Sequence, residues 1–189
     1  TPARRAMSIN SSTALSTLAP SLRTWEMYLP PHSPARARLV AKAVGRLAGL
    51  TAFARVFELC DPEAQVEAQV GDGASLEPGQ VVARVRGDAR ALLRAERPAL
   101  NLLQHLSGIA TLTSRFVEAA AGRARNLHTR KTLPGLRALE KHAVRCGGGD
   151  NHRFGHYDEA MLKNTPVDLA GAPLAELGRR LRERLGPGV

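Results

Sequence analysis

Apolar and polar residues alternate strictly over residues 63–70, EAQVEAQV, where Ala or Val occupies every second position. A period of two places these apolar side chains on one face and predicts a half-buried β-strand. The Gly-Asp-Gly triplet that follows predicts a turn. A Pro-Gly turn and a second strand come next, with Val81, Ala83 and Val85 on one face. The pattern therefore predicts a compact β module before residue 90.

The apolar period lengthens to three or four residues over positions 96–122 and predicts a long amphipathic helix. Pro98 falls in its predicted first turn, where a missing N–H costs least, and Gly122 is the predicted C-cap. Gly108 in mid-helix indicates close packing at that point, because glycine otherwise destabilises a helix interior. Residues 35–50 fit either a strand or a helix, since two glycines weaken the helical pattern.

The last third of the chain alternates between short strand candidates and helices. Strands are predicted at 124–132 and 158–164, and helices at 135–146 and 173–188. This order favours a parallel sheet or an α/β barrel.

The net charge and the aromatic content of the chain limit the kinds of molecule that it is expected to bind. The 189 residues carry a formal net charge of +10, which attracts polyanions such as nucleic acid, an anionic membrane or phosphorylated substrates. Only 4% of the residues are aromatic, which leaves few side chains for base stacking, and no apolar run is long enough to cross a membrane. Cys60 and Cys146 form no CxxC pair, so neither a metal framework nor a disulfide scaffold is predicted. A reducing, cytoplasmic setting is expected, and residues 1–24 fit a solvated tail or an organelle transit peptide.

Basic residues concentrate late in the chain. Eight of them lie between positions 121 and 153, opposed by Glu140 and Asp150: Arg123, Arg125, Arg130, Lys131, Arg137, Lys141, Arg145 and Arg153. Ligands of parallel α/β folds bind at the C-terminal ends of the strands. Arg130 and Lys131 end the first predicted strand and Lys163 ends the second, so these three are predicted to meet at one mouth.

The segment CGGGDNHR, residues 146–153, adds a second group of candidates. Successive N–H groups of Gly147, Gly148 and Gly149 predict an anion-binding nest, or else only a helix stop and a loop. His152 and Arg153 follow at once and supply a titratable donor and a guanidinium fork. The residues together predict a site for a small substrate with several negative groups.

Three segments resemble quinolinate phosphoribosyltransferases, also called carboxylating nicotinate-nucleotide pyrophosphorylases. They are AERPALNLLQHLSGIAT at 95–111, TRKTLPGLRALEKHAVRCGGGDNHRFGHYDEAMLK at 129–163 and, more weakly, VGDGASLEPGQVVARVRGDARALL at 70–93. The resemblance implies a pentosyltransferase that joins quinolinate to phosphoribosyl pyrophosphate and releases pyrophosphate and carbon dioxide. The product is nicotinate mononucleotide, for NAD biosynthesis. The resemblance also implies Mg²⁺ as a cofactor, an open α/β barrel beside an α+β domain, and homodimers. The fold class expected from it is an α+β N-terminal domain followed by a truncated α/β barrel of about two βα units. The expected divisions are a poorly ordered tail at 1–34, the N-terminal α+β domain at 35–107 and the partial α/β barrel domain at 108–189.

The resemblance implies roles for six residues. Four would hold the two carboxylates of quinolinate: Arg130, His152, Arg153 and Lys163. Lys131 would face the phosphoribosyl phosphates, and Arg97 would reach into the site of a neighbouring subunit. Lys131 and Lys163 are the catalytic candidates. No residue of this chain is assigned to Mg²⁺, whose ligands are expected in family segments that the chain lacks.

Several positions depart from the family pattern. His128 stands where the family usually has Asp, Pro98 replaces a usual Thr, and Asn-Thr-Pro at 164–166 replaces Asp-Asn-His. A closed barrel needs eight strands, whereas about two strand-helix units are predicted here. We therefore expect a truncated product or one part of a split enzyme, which keeps the quinolinate side and lacks the metal- and phosphate-binding half.

Two other functions fit parts of the sequence. A basic nucleic-acid-binding protein would explain the net charge of +10 but not the placement of the lysines. A non-catalytic fragment could pair with a full-length subunit and donate Arg97 to its site.

Overall fold

The computed structural model of the protein describes residues 5–8, 29–155 and 161–185. The strands are β1 (Arg5–Ser8), β2 (Pro34–Val40), β3 (Gly45–Arg46), β4 (Gln65–Ala68), β5 (Ser75–Leu76) and β6 (Val81–Asp88). The helices are α1 (Leu50–Cys60), α2 (Ala89–Ala120), α3 (Arg137–Cys146), α4 (Asn164–Ala170) and α5 (Leu174–Leu185). β1 lies within the stretch predicted to be a tail, most of which, at 1–4 and 9–28, lies outside the described residues.

The sheet is built by the N-terminal part of the chain. β1, β2, β6 and β4 form four strands in that order, and β3 pairs with β5 in a separate two-stranded sheet. β1 runs parallel to β2, whereas β6 is antiparallel to both β2 and β4. The β module predicted before residue 90 is confirmed, with Val66 of β4 opposite Val85 of β6. Val82 and Ala83 are both buried, because a register shift between β2 and β6 interrupts the predicted alternation.

Helix α1 is absent from the predicted elements, although Leu50, Phe53 and Phe57 recur at helical spacing and are buried. The two phenyl rings pack with their centroids 5.0 Å apart. The carboxylate of Asp72 caps this helix by accepting hydrogen bonds of 3.0 Å from the N–H groups of Gly49 and Leu50. A cap supplied by a distant turn leaves the start of the helix unmarked in the local sequence, so its only local signal was the spacing of these three apolar residues.

Helix α2 runs through both parts of the molecule. The side chain of Asp88 caps it, so the helix begins at Ala89 and the prediction that Pro98 lies in its first turn is wrong. Its first half packs in the main apolar core with the sheet and α1. Its second half packs against Ala48 and Ala143 in a smaller core. Despite its 32 residues, α2 is too polar to span a membrane, and every other helix in the described ranges fails the same test.

The prediction of close packing at Gly108 is wrong, and the closely packed residue is its neighbour Ser107. Gly108 is exposed, and no atom lies within 4 Å of the position that a Cβ would take there. The hydroxyl of the buried Ser107 accepts a hydrogen bond from the N–H of Ala48 at 3.1 Å and donates to its carbonyl at 3.2 Å. The C-cap is also displaced by one residue, because Ala121 rather than Gly122 ends α2 with a left-handed φ of 47°.

The strands predicted at 124–132 and 158–164 are wrong over the described residues. Leu127 forms a single parallel bridge, and its partner is Asp150. Residues 161–163 are irregular and are followed by α4, while 158–160 lie outside the described residues. Helix α3 agrees with the prediction, and it crosses over between the two bridged residues as a parallel connection requires. Helix α5 is confirmed as well, although its predicted end at 186–188 lies outside the described residues.

Gly147 lets the end of α3 approach α2 closely. A Cβ at this position would lie 2.4 Å from the carbonyl oxygen of Ala110 and 2.6 Å from the Cβ of Thr113. Both separations are shorter than nonbonded atoms tolerate, and the first involves the backbone of α2, which cannot move aside alone. The packing of α3 on α2 therefore depends on the missing side chain at Gly147.

We expect Gly147→Ala to destabilise the fold by about 1–3 kcal/mol, the usual cost of overpacking. Gly178→Ala is the matched control, because Gly178 lies within α5 and a Cβ there would meet no atom within 4 Å. The control should be neutral or more stable by up to about 1 kcal/mol, since alanine is the better helix former. Urea unfolding measures both changes, and equal midpoints for the two variants would contradict the packing argument.

Candidate functional site

The predicted site residues Arg130 and Arg153 follow two segments that run side by side. Backbone hydrogen bonds of 2.9 and 3.2 Å join Asp150 to the segment that leads to Arg130. They hold the segments parallel, with Leu127 opposite Asp150. Arg130 and Arg153 each lie three positions beyond a bridged residue, so the two arginines follow their segments toward the same end.

Lys141 fixes the backbone that carries His152 and Arg153. This residue of α3 is buried, with 4% of its surface exposed. Its Nζ donates hydrogen bonds to the carbonyl oxygens of His152 at 2.7 Å and Arg153 at 2.9 Å, and it lies 5.0 Å from the ring centroid of Phe154. The sequence analysis listed Lys141 only as one of the basic residues and did not predict this supporting role. The one sequence feature that pointed to it is that lysine is rare in a chain whose cationic residues are mostly arginine.

Arg153 connects this segment to the one that carries Lys163. Arg153 is buried, and its Nη2 donates to the sulfur of Met161 at 3.5 Å. Lys163 lies two residues further along and is exposed. Five of the six predicted site residues thus lie on three segments joined by these contacts, and we call them the cation cluster: Arg130, Lys131, His152, Arg153 and Lys163.

Arg130 and Lys131 differ in their surroundings. The Nε of Arg130 is buried and finds no hydrogen-bond acceptor among the described residues. A buried donor without a partner costs free energy, and an anionic ligand could supply the missing acceptor. The side chain of Lys131 is exposed, so its ammonium group is available to a ligand at the surface.

Glu140 and Arg137 of α3 hold the loop between Lys131 and the helix. The Glu140 carboxylate accepts a hydrogen bond of 3.4 Å from the N–H of Leu133 and lies 2.9 Å from Nε2 of His105 on α2. The Nε of Arg137 donates to the hydroxyl of Thr132 at 3.3 Å. The sequence analysis did not predict that Glu140 and Arg137 hold this loop. The one sequence feature that pointed to Glu140 is that it is one of two acidic residues in a strongly basic stretch.

His128, at the position where the family usually has Asp, is held neutral. Neither ring nitrogen finds a hydrogen-bond partner among the described residues, and both are buried. Burial is the main cause that lowers the pKa of His128, a backbone hydrogen bond raises it by less, and the charges of Lys141 and Arg137 lower it further. His128 lies two residues before Arg130 of the cation cluster. A neutral ring there avoids adding another positive charge to it.

The anion-binding nest predicted at Gly147, Gly148 and Gly149 is wrong. Their N–H groups donate to carbonyls in the last turn of α3, with lengths of 3.1, 2.9 and 3.0 Å. None of the three is left over for an anion. The alternative reading of a helix stop followed by a loop is the correct one, and the glycines serve the close approach to α2.

Arg97 is the one predicted site residue that lies elsewhere. It is exposed on α2 and makes no hydrogen bond or ion pair with the rest of the described chain. His105, which contacts Glu140, lies eight residues further along the same helix. A rise of 1.5 Å per residue separates the two positions by about 12 Å along the axis.

Comparisons with known proteins cover nearly the whole chain. Residues 16–107 match the family model for the quinolinate phosphoribosyl transferase N-terminal domain, and residues 109–189 match the model for the C-terminal domain. Two curated relatives are each named "probable nicotinate-nucleotide pyrophosphorylase (carboxylating)". The one from Synechocystis is 44% identical over 79% of this chain and 51% of its own length. The one from Bacillus subtilis is 44% identical over 79% of this chain and 52% of its own length.

Solved structures give the same result. The crystal structure of NadC from Streptococcus pyogenes superposes with a TM-score of 0.82 at 42% identity and covers 87% of this chain and 59% of that one. The chain spans about half the length of the curated relatives that it matches. The structural likeness is consistent with a family N-terminal domain followed by part of the C-terminal domain.

The lowered pKa of His128 predicts a loss of stability on acidification. Its folded pKa lies below the ordinary value of 6.5, so the unfolded chain binds more protons in the window between the two values. The stabilisation is complete above about pH 6.5 and is lost as the pH falls toward the folded pKa. We expect the urea midpoint to fall more between about pH 7.5 and about pH 5 in the wild type than in His128→Asn.

The exposed His32 provides the control for this pH experiment. His32→Asn should keep the wild-type pH response, because the change is far from the buried ring. An identical pH response in the wild type and His128→Asn would contradict the assignment.

Proposed function

The chain belongs to the quinolinate phosphoribosyltransferase family, and we propose that its cation cluster binds quinolinate through both carboxylates. The reaction proposed is pentosyl transfer from phosphoribosyl pyrophosphate with decarboxylation, which gives nicotinate mononucleotide for NAD biosynthesis. The observation that carries the proposal is the parallel alignment of the segments that lead to Arg130 and Arg153. Two guanidinium groups delivered toward one end suit a ligand with two adjacent carboxylates.

The proposed contacts follow from the state of each side chain. The unpartnered Nε of Arg130 would gain an acceptor from one carboxylate. Nδ1 of His152 accepts a hydrogen bond of 2.8 Å from the N–H of Arg153. The neutral ring therefore carries its proton on Nε2, which makes that nitrogen a donor for a carboxylate. Lys163 would add charge from the segment that Arg153 contacts, and Lys131 would face the phosphates of the second substrate.

The proposed mechanism relies on positioning and electrostatics. The ring nitrogen of quinolinate attacks the anomeric carbon of the ribose, and the bond to pyrophosphate breaks. The ring nitrogen is then positively charged and stabilises the electron pair that stays on the neighbouring ring carbon when its carboxylate leaves as carbon dioxide. The electron pair left on the ring carbon takes up a proton. Arg130 and Arg153 hold the substrate in place, Lys131 and Lys163 are the catalytic candidates, and no covalent nucleophile is needed.

Mg²⁺ remains a prediction of the family resemblance. Over the described residues, one group of three side chains could share a metal ion, namely Asp72, His142 and Cys146. A thiol and an imidazole suit softer metals, whereas Mg²⁺ takes oxygen ligands. This group therefore does not fit Mg²⁺, and no step above depends on that ion.

The finer architecture is also a proposal. The helix α3 crossover between Leu127 and Asp150 supports an α/β barrel as the setting of residues 108–189, after the α+β domain at 35–107. The exposure of Arg97 supports a homodimer in which this residue reaches the neighbouring site. Cytoplasmic localisation fits a metabolic enzyme with two free cysteines.

Binding of quinolinate to charge-removing variants tests the proposed site. We expect Arg130→Met and Arg153→Met each to weaken binding by about 10- to 100-fold, since hydrogen bonds to charged groups contribute about 1.5–3 kcal/mol. Arg55→Met is the matched control, because Arg55 is exposed on α1 and its one ion pair among the described residues is with Glu58, at 3.0 Å. Titration calorimetry measures all three. An equal loss in Arg55→Met would mean that quinolinate is attracted only by the net charge.

Transfer itself is measured as labelled carbon dioxide released from quinolinate in the presence of phosphoribosyl pyrophosphate, first by this chain alone and then with a second polypeptide that supplies the later family segments. Release should fall together with quinolinate affinity in the two cluster variants and persist in Arg55→Met. Release that survives in both cluster variants would contradict the mechanism. Duplex DNA serves as a competitor: steeply salt-dependent DNA binding that quinolinate cannot displace would favour the nucleic-acid function instead.

A further inference from the structure

Asp72, His142 and Cys146 bring three potential metal ligands together outside the cation cluster. Their ligand atoms all lie within 4.8 Å of one another. Nε2 of His142 is 2.8 Å from Oδ2 of Asp72 and 3.3 Å from Sγ of Cys146. His142 and Cys146 are four residues apart on α3 and so lie on the same face of the helix. Asp72 belongs to the turn between β4 and β5, so the group joins two separate parts of the chain.

The geometry does not suit a catalytic relay from thiol through imidazole to carboxylate. Such a relay uses both ring nitrogens, one for the nucleophile and one for the acid. Here the carboxylate and the thiol both approach the same nitrogen, Nε2 of His142. A neutral ring has at most one proton at that nitrogen and can donate it to only one of them. Burial and the neighbouring Asp72 charge also raise the pKa of the Cys146 thiol, which disfavours a free thiolate.

A divalent cation would resolve this competition. All three groups can turn a lone pair toward one metal ion, which would bind the sulfur of Cys146 as a thiolate. Zinc bond lengths of about 2.0–2.3 Å place tetrahedral ligand atoms about 3.4–3.6 Å apart. To reach this spacing, the oxygen–nitrogen separation of 2.8 Å must open by more than half an ångström and the nitrogen–sulfur separation of 3.3 Å by a few tenths. The carboxylate oxygen and the sulfur, which lie within 4.8 Å of each other, must settle at a similar spacing.

We propose that Asp72, His142 and Cys146 form a binding site for a zinc-class divalent cation, with water in the fourth position. Sulfur, imidazole nitrogen and carboxylate oxygen are the ligand types that Zn²⁺ prefers. The His142 side chain is 48% exposed, so an ion can enter from the surface. The carboxylate of Asp72 is already oriented, because it accepts the N–H groups of Gly49 and Leu50 at the start of α1.

The bound ion would clamp α3 to the turn that caps α1. Two protein ligands come from the last part of α3, and the third comes from the turn at Asp72. The backbone already passes close by, since a Cβ on Gly73 would lie 3.6 Å from the carbonyl oxygen of Cys146. The proposed site therefore links two separate parts of the fold, and it shares no residue with the proposed quinolinate site.

Cobalt titration of the tag-free, fully reduced chain tests the proposal. Co²⁺ reports zinc-like sites through the bands of tetrahedral coordination and a thiolate-to-cobalt charge-transfer band. We expect one equivalent to bind with both signals, and Zn²⁺ to displace it. Cys146→Ser should lose the charge-transfer band and His142→Gln should weaken Co²⁺ binding at least tenfold. Cys60→Ser, which removes the other free cysteine, should behave like the wild type.

Thermal unfolding provides a second readout and checks that the variants fold. Zn²⁺ should raise the midpoint of the wild type and of Cys60→Ser in a concentration-dependent way, and it should leave Cys146→Ser unchanged. The proposal is overturned if the wild type shows no charge-transfer band with stoichiometric Co²⁺. It is equally overturned if the band survives in Cys146→Ser and disappears in Cys60→Ser.

Discussion

The hydrogen bonds from Lys141 to two consecutive carbonyls are the interaction on which the candidate site depends. A buried ammonium group is costly unless it is well satisfied, and here it donates to the carbonyls of His152 and Arg153 at 2.7 and 2.9 Å. The backbone before and after the Arg153 Cα is therefore tied to α3. Because Lys141 acts on the backbone, it sets where the two side chains begin without occupying the space of a ligand.

The position of α3 is in turn fixed by α2. Gly147 allows contact with the backbone of α2, and His105 of α2 lies 2.9 Å from Glu140 of α3. Helix α2 is anchored at its start by the Asp88 cap and is packed through its first half into the main core. A continuous series of contacts thus leads from the sheet to the cation cluster. These contacts explain how a basic and polar C-terminal region can keep the segments that carry the charged side chains in fixed positions.

Local patterns were sufficient where the local sequence decides the structure. The strands before residue 90, the helix that ends at Gly147 and the amphipathic helix α5 were all predicted from the spacing of apolar residues and from glycine and proline at their ends.

Prediction failed where a residue distant in sequence determines the local structure. Helix α1 is capped by the Asp72 carboxylate, and the segment near Leu127 bridges Asp150, which lies outside both predicted strands. The residues of the cation cluster were named from sequence, but Lys141 and Glu140 were not named as supports, because backbone carbonyls and loop N–H groups leave no trace in side-chain chemistry.

A double-mutant cycle on quinolinate binding between Lys141 and Arg153 tests the central claim most directly. If Lys141 acts by placing Arg153, Lys141→Met alone should weaken binding about tenfold, a loss of about 1.4 kcal/mol. Adding it to Arg153→Met should then cost little more, which leaves a coupling energy of about 1 kcal/mol or more between the two positions. Titration by nuclear magnetic resonance follows such weak affinities and reports whether each variant is folded. Independent, fully additive losses in the double variant would contradict the account.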